Sequence, residues 1–352
     1  MMTKKIVILY TELSGYMLQC FDLAQKDNFQ IHVVNYPVNK EAPFVFKKNN
    51  NIIFYDRNTF LDKTSILDLI FKISPKLILI SGWIDKIYLE VIKNTPSKFK
   101  RVMMIDTQWA STMKQKIWVN LFKLKYLNCI DAIWVPGEKQ MKYAKKLGFN
   151  PNEIYDGLYA CDISYYQEIN EKWKAKKIEN FPRKFLYIGR YIHSKGVEEL
   201  TNTFISIIEK NKLNWELWCV GTGDLWSKRK IHKSIRHFGF VQPEDLDQII
   251  GESGVFILPS KYEPWGVVLH EMVTSGMPIL ISDVVGSKNS FLKNNINGMS
   301  FSHKVKGDLE SKMTSIMNLS DEELLKMGEE SVHLSTRYTP EKWVDTLNKI
   351  YG

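Results

Sequence analysis

Short apolar, β-branched runs alternate with longer stretches of helical period through most of the chain. In the first half the runs Lys5–Tyr10, Gln30–Asn35, Asn51–Tyr55, Lys76–Ser81, Arg101–Ile105 and Ala132–Val135 predict strands. Segments of helical period separate most of them, for example Thr59–Ile73 and Ile84–Lys93. Strands that alternate with crossover helices imply a parallel sheet covered on both faces. Gly148–Tyr166 breaks this rhythm with Asn-Pro-Asn and Asp-Gly, which places a linker near Gly157. After a lysine-rich stretch the alternation resumes. Lys184–Gly189 predicts a strand, Lys195–Lys210 a helix, and Trp215–Val220, Gly254–Leu258 and Pro278–Ser282 three further strands.

The pattern therefore predicts an α/β protein of two tandem, doubly wound, Rossmann-like domains. The first spans residues 1–157 and the second residues 158–335. Open α/β sheets bind ligands beyond the carboxyl ends of their strands, so a cleft between the domains is the expected site. Residues 336–352 predict a final helix packed back on the first domain. Thr339 suits its cap and Pro340 its first position, while Trp343, Leu347, Ile350 and Tyr351 make one apolar stripe.

Composition changes this picture little. With 352 residues, 44% hydrophobic and 25% charged, the chain suits a two-domain globular protein rather than a disordered or fibrous one. The opening MMTKKIVILYTEL has the lysines of a secretory leader, but its apolar run is too short and reads as a first buried strand. No run approaches the ~18 apolar residues of a membrane span. Cys20, Cys129, Cys161 and Cys219 lie far apart without a C-x-x-C pair. That spacing argues against a disulfide framework and a zinc site, and fits a reducing, cytoplasmic setting with no metal cofactor.

Charge changes it more. Between Lys98 and Lys146 eleven basic residues face three acidic ones, a surplus of eight in a chain of formal charge +9. Such a segment attracts an anionic partner: phospholipid, nucleic acid or an acidic substrate. Within Lys114–Asn128 the residues Ile117, Trp118, Leu121 and Leu124 share a helical face. Lys116 and Lys123 lie opposite, and Lys114 and Lys125 sit at the edge of the apolar face. A solvated face on a helix packed against the sheet accounts for each helix singly; the concentration of charge favours an anionic membrane surface.

The chemistry concentrates in KYEPWGVVLHEMVTSGMP, residues 261–278. Glu263 falls in the loop after a buried strand, and Glu271 lies inside the helix Val267–Ser275. Eight residues at helical rise would separate them by ~12 Å, about the reach from a sugar across a diphosphate to a ribose. A carboxylate offers two acceptors to the adjacent hydroxyls of a ribose, and amides at the start of the helix suit a phosphate.

Glu263-Pro-Trp-Gly-Val-Val-Leu-His-Glu271, followed by SGMPILISD, resembles the E-x(7)-E motif of retaining family 4 glycosyltransferases, which have the glycosyltransferase-B (GT-B) fold. The resemblance implies that Glu271 binds the donor ribose and that Glu263 faces the transferred sugar, with Trp265, Gly266 and Val267 lining the site between them. FLYIGRYIHSKGVEEL resembles the family's G-R…K-G motif, which gives Arg190 and Lys195 the diphosphate and puts Gly189 beside it. Two cations there would stabilise a leaving group that gains charge. Gly221 and Gly223 of ELWCVGTGDL resemble glycines lining the nucleotide pocket, and Val241 lies near the end of a strand that offers backbone to the base. DVVGSKN has Val285-Gly286 where a Gly-Gly pair is common. In the first domain Gly15 occupies the place of a glycine-rich loop, though alone, and Asp106 that of a His or Asp near the transferred sugar.

The resulting expectation is a retaining glycosyltransferase that needs no metal. Its donor would be a nucleotide diphosphate-sugar and its acceptor a glycan or lipid-linked molecule, as in bacterial surface polysaccharide or glycolipid synthesis. It would be cytoplasmic, or peripheral on the inner face of the membrane. Two rivals remain: a nucleotide-sugar isomerase of the same fold, and a nucleic-acid-binding protein using the basic segment. Against the second, the sequence has no recognisable nucleic-acid module and few aromatics among the basic stripes.

Overall fold

The computed structural model describes residues 3–37 and 52–352. The chain divides into two compact units: Met1–Ala160 with Tyr338–Gly352, and Cys161–Arg337. The boundary thus falls a few residues after Gly157. Asn51 and the Asn- and Lys-rich tract near residue 50 lie outside the described residues.

The first unit contains, in chain order, β1 (Lys4–Tyr10), α1 (Gly15–Lys26), β2 (Phe29–Asn35), β3 (Ile52–Asp56), α2 (Lys63–Ile73), β4 (Leu77–Ser81) and α3 (Lys86–Asn94). It continues with β5 (Lys100–Met104), α4 (Met113–Lys125), β6 (Ala132–Trp134), α5 (Glu138–Leu147) and β7 (Ile154–Tyr155). These strands form a parallel sheet in the order β3-β2-β1-β4-β5-β6-β7. Both faces are covered by apolar clusters, which is why β1 and β4 read as unbroken apolar runs. The helix expected from Thr59 starts at Lys63, because the Asp62 carboxylate accepts from Ser65 N and caps it there.

The second unit holds α6 (Ile163–Glu179), β8 (Lys184–Ile188), α7 (Val197–Asn211), β9 (Glu216–Val220), β10 (Ile235–Gly239), α8 (Asp247–Gly251) and β11 (Val255–Leu258). There follow α9 (Val267–Thr274), β12 (Ile279–Ser282), α10 (Lys288–Phe291), β13 (Gly298–Phe301), α11 (Asp308–Met317) and α12 (Asp321–Ser335). Its parallel sheet runs β10-β9-β8-β11-β12-β13. The lysine-rich stretch before β8, given no element from sequence, forms α6, whose start Asp162 caps by accepting from Tyr165 N. Lys195 does not open a helix; it ends a short turn, and α7 begins two residues later.

The last helix, α13 (Pro340–Tyr351), belongs to the first unit and packs on α1. Trp343 sits 4.8 Å from the Trp134 ring and donates its indole N–H to Leu158 O at 2.9 Å. Asn348 bridges Lys4 and Asp27, closing the polar edge of the same contact.

Candidate functional site

In the second sheet the winding reverses between β8 and β11, which are neighbours. The loops leaving their carboxyl ends therefore part on either side of a crevice, the usual ligand position in open α/β sheets. One loop carries Gly189 to Lys195 and the other Pro259 to Gly266. They are stitched together: Lys261 N and Tyr262 N both donate to Ser194 O, at 2.8 and 3.1 Å. That pairing brings Lys195 Nζ to 2.6 Å from Glu263 Oε2, while Ser260 Oγ donates to the same oxygen at 3.1 Å. Glu263 is only 6% exposed, and its carbonyl accepts from Gly286 N. Sequence alone gave these two charges separate tasks; the fold makes them partners.

Gly266 ends the loop with φ +86°, and a Cβ there would sit 3.1 Å from Glu263 Cγ. The left-handed turn lets α9 start directly behind Glu263. Amides of Val267 and Val268 in its first turn have no acceptor within the helix and face the positive end of its dipole. Trp265 is packed inward, edge-on to Phe291, and its carbonyl accepts from Ser287 N and Oγ. Its indole therefore anchors the loop, and only its backbone remains to meet a ligand.

Glu271 lies one turn into α9 and is half-buried. Desolvation pushes its carboxyl up to about 7; a hydrogen bond from Tyr166 opposes the shift and the Asp162 carboxylate adds to it. Its neighbour His270 is buried between two segments of the unit. Nδ1 accepts from Cys161 N at 3.2 Å and Nε2–H donates to Ser335 O at 2.8 Å, with Phe291 stacked 4.4 Å away. Burial lowers His270 to about 4, against the bond to Ser335, so the ring is neutral at physiological pH. These contacts set the rotation of α9 and hence the direction of Glu271. Sequence reasoning missed His270, Tyr166 and Asp162, although His270 stands beside the second glutamate.

The remaining loop ends are knitted in the same way. Gly189 N donates to Val220 O, Tyr191 N to Thr222 O and Gly221 N to Gly239 O. Gly221 has φ +127°, and a Cβ on it would lie 2.0 Å from Gly189 O, a distance no side chain tolerates. A Cβ on Gly223 would lie 2.8 Å from Tyr191 O. Gly189, Gly221 and Gly223 are thus one backbone cluster, with Arg190 exposed at its edge. Val241 lies two residues beyond the end of β10.

Gly15 and Asp106 belong to the first unit. Gly15 opens α1, and Asp106 follows β5. Asp106 stands among Tyr10, Tyr16 and Tyr159, whose convergence the sequence did not reveal. Burial raises the Tyr10 and Tyr159 hydroxyls well above the usual phenol range, and Asp106 and Tyr16 add to both; the hydrogen bond between the two hydroxyls opposes the rise at Tyr10 and adds to it at Tyr159. Tyr16 packs edge-on to Tyr159 at 5.5 Å.

Two parallel-sheet α/β units with loops poised at the winding reversal define the GT-B glycosyltransferase fold. The chain superposes on sucrose-phosphate synthase from Thermosynechococcus elongatus with a TM-score of 0.73 at 15% identity, covering 99% of this chain and 98% of that one. Residues 168–333 match the family Glycosyl transferases group 1, so the chain carries a domain of that family. Among curated relatives, an uncharacterized glycosyltransferase of Methanocaldococcus jannaschii is 27% identical over 157 residues, which is 42% of this chain and 39% of the relative. A UDP-Gal:alpha-D-GlcNAc-diphosphoundecaprenol alpha-1,3-galactosyltransferase of Escherichia coli is 23% identical over 217 residues, 58% of this chain and 54% of that protein. The chain spans about half the length of the curated relatives it matches.

Proposed function

We propose that this chain is a retaining glycosyltransferase that moves a sugar from a nucleotide diphosphate-sugar to a glycan or lipid-linked acceptor. The observation that carries the reading is the meeting of Lys195 and Glu263 at the winding reversal, directly before the helix that bears Glu271. In this assignment Glu271 accepts hydrogen bonds from the donor ribose. Lys195, Arg190 and the first amides of α9 meet the diphosphate, whose negative charge grows as the glycosidic bond breaks. Glu263, turned away from Lys195, faces the sugar. Asp106 keeps the sugar-facing role that the resemblance implies, and Gly15 the donor-phosphate role. Gly189, Gly221, Gly223 and Val241 give the nucleotide close access to backbone.

The E. coli relative named for a diphosphoundecaprenol-linked acceptor supports a role in surface polysaccharide or glycolipid assembly. The test is to incubate radiolabelled nucleotide sugars with and without a lipid-linked glycan acceptor. The proposal predicts label in the acceptor, joined with the donor's anomeric configuration. Conversion of the donor to an epimer without any acceptor would instead establish the isomerase reading.

A further inference from the structure

The face of α4 that the sequence marks as apolar is not the face the fold buries. Val119 and Phe122 pack into the core, with Trp118 beside them. Met113, Ile117, Leu121 and Leu124 are 68%, 63%, 38% and 81% exposed. At ~100° per residue these four fall within about 80° of arc, on the side opposite Val119 and Phe122. Lys114 and Lys125 flank that arc on one side and Lys116 and Lys123 on the other, all four exposed. The helix Met113–Lys125 contains no acidic residue. Lys142, Lys145 and Lys146 are exposed on α5, which packs against α4.

A run of large apolar side chains left in water costs free energy unless something covers it. The double border of ammonium groups selects the cover. Lysines on both sides of an apolar ridge match the phosphates on either side of a helix lying at the boundary of headgroups and acyl chains. The long stems of Lys114, Lys116, Lys123 and Lys125 let their charges rise to phosphate level while the ridge descends. Among the described residues no helix is long and apolar enough to cross a membrane, so such contact would be peripheral.

We infer that α4 is a membrane-docking helix: Met113, Ile117, Leu121 and Leu124 enter the interface of an anionic lipid surface, and the flanking lysines hold its phosphates. The inference rests on the surface of the first unit and is independent of the nucleotide reading. The test is cosedimentation of the whole protein with phosphatidylcholine vesicles, with and without phosphatidylglycerol.

Binding is expected only with phosphatidylglycerol and should weaken as salt rises. Replacing both Ile117 and Leu124 by Ser keeps every lysine and should weaken vesicle binding at least about tenfold. Replacing Lys116 and Lys123 by Gln should weaken it and flatten the salt dependence. Both variants alter exposed positions, and unchanged circular dichroism and thermal unfolding would show that they fold. The inference is overturned if wild type stays in the supernatant with phosphatidylglycerol vesicles at low salt, or if I117S/L124S sediments as wild type does. It is equally overturned if the ridge instead pairs with a second copy, seen as a concentration-dependent dimer that I117S/L124S abolishes while vesicles bind neither protein.

Discussion

Lys195 and Glu263, separated by 68 positions in sequence, share a 2.6 Å ion pair at the carboxyl ends of two neighbouring strands. Both side chains are largely withdrawn from water, 18% and 8% exposed. A diphosphate that takes Lys195 must therefore take it from Glu263. Under the proposed assignment, donor binding would release the carboxylate that faces the sugar.

This competition predicts opposite effects from one substitution. Glu263→Gln removes the charge that holds Lys195 and should tighten binding of inorganic pyrophosphate about tenfold, or ~1.4 kcal/mol. Sugar transfer by the same variant should fall by about a hundredfold or more. Isothermal titration and a transfer assay on one preparation check both. Weaker pyrophosphate binding by the variant would show that the two side chains do not compete.

The neighbours His270 and Glu271 titrate in opposing senses. Glu271 is raised from 4.5 to about 7, so the stability it contributes is full below pH 4.5 and is lost as pH rises through 7. His270 is lowered from 6.5 to about 4, so its contribution is present above pH 6.5 and is lost as pH falls through 4. Between those limits the two trends offset each other. Glu271→Gln removes only the first. The variant should be more stable than wild type by about 2–3 kcal/mol at pH 8, with the gain vanishing toward pH 4.5. Urea unfolding of both proteins at several pH values measures it; a gain independent of pH would contradict the assignment.

Nucleotide affinity should follow the same group. Ribose hydroxyls donate to a carboxylate and not to a protonated acid's O–H, so wild-type affinity should rise as pH passes 7. Glu271→Gln should remove that dependence. Titration of a nucleoside diphosphate at pH 6 and pH 8 decides it.

Gly221→Ala tests the loop cluster. With φ +127° and the Gly189 carbonyl 2.0 Å from the new Cβ, the change should cost about 3 kcal/mol in stability. Gly307→Ala is the control for strain without crowding, since φ is +79° there and nothing lies within 4 Å. Thermal unfolding should show Gly221→Ala to be clearly the worse of the two.

Much of the fold was legible because parallel strands buried on both faces leave unbroken apolar runs, as in Ile6–Tyr10 and Val255–Leu258. α6 was not, because only Tyr166, Ile169 and Lys177 of its residues are buried, which leaves no apolar stripe to mark a helix. Two exposed turns hid the last strand, β13, whose four residues include a glycine. In the site, Glu263 and Glu271 were readable because they fall within one short motif. The Lys195–Glu263 pair and the Tyr10, Tyr16, Tyr159 and Asp106 group were not, since each joins distant segments that only the sheet order brings together. α4 misled for a different reason: periodicity shows that a face is apolar, and the neighbours decide whether it is buried.

The central claim is that the second unit grips a nucleoside diphosphate through Glu271 and Lys195. Its most direct test is calorimetric titration of uridine, guanosine, thymidine and adenosine diphosphates into wild type and Glu271→Ala. The account predicts that at least one binds wild type and that its affinity drops about 10- to 100-fold in the variant, the loss of a charged hydrogen-bond acceptor. If none of the four binds, or if the variant binds as tightly as wild type, the account is wrong.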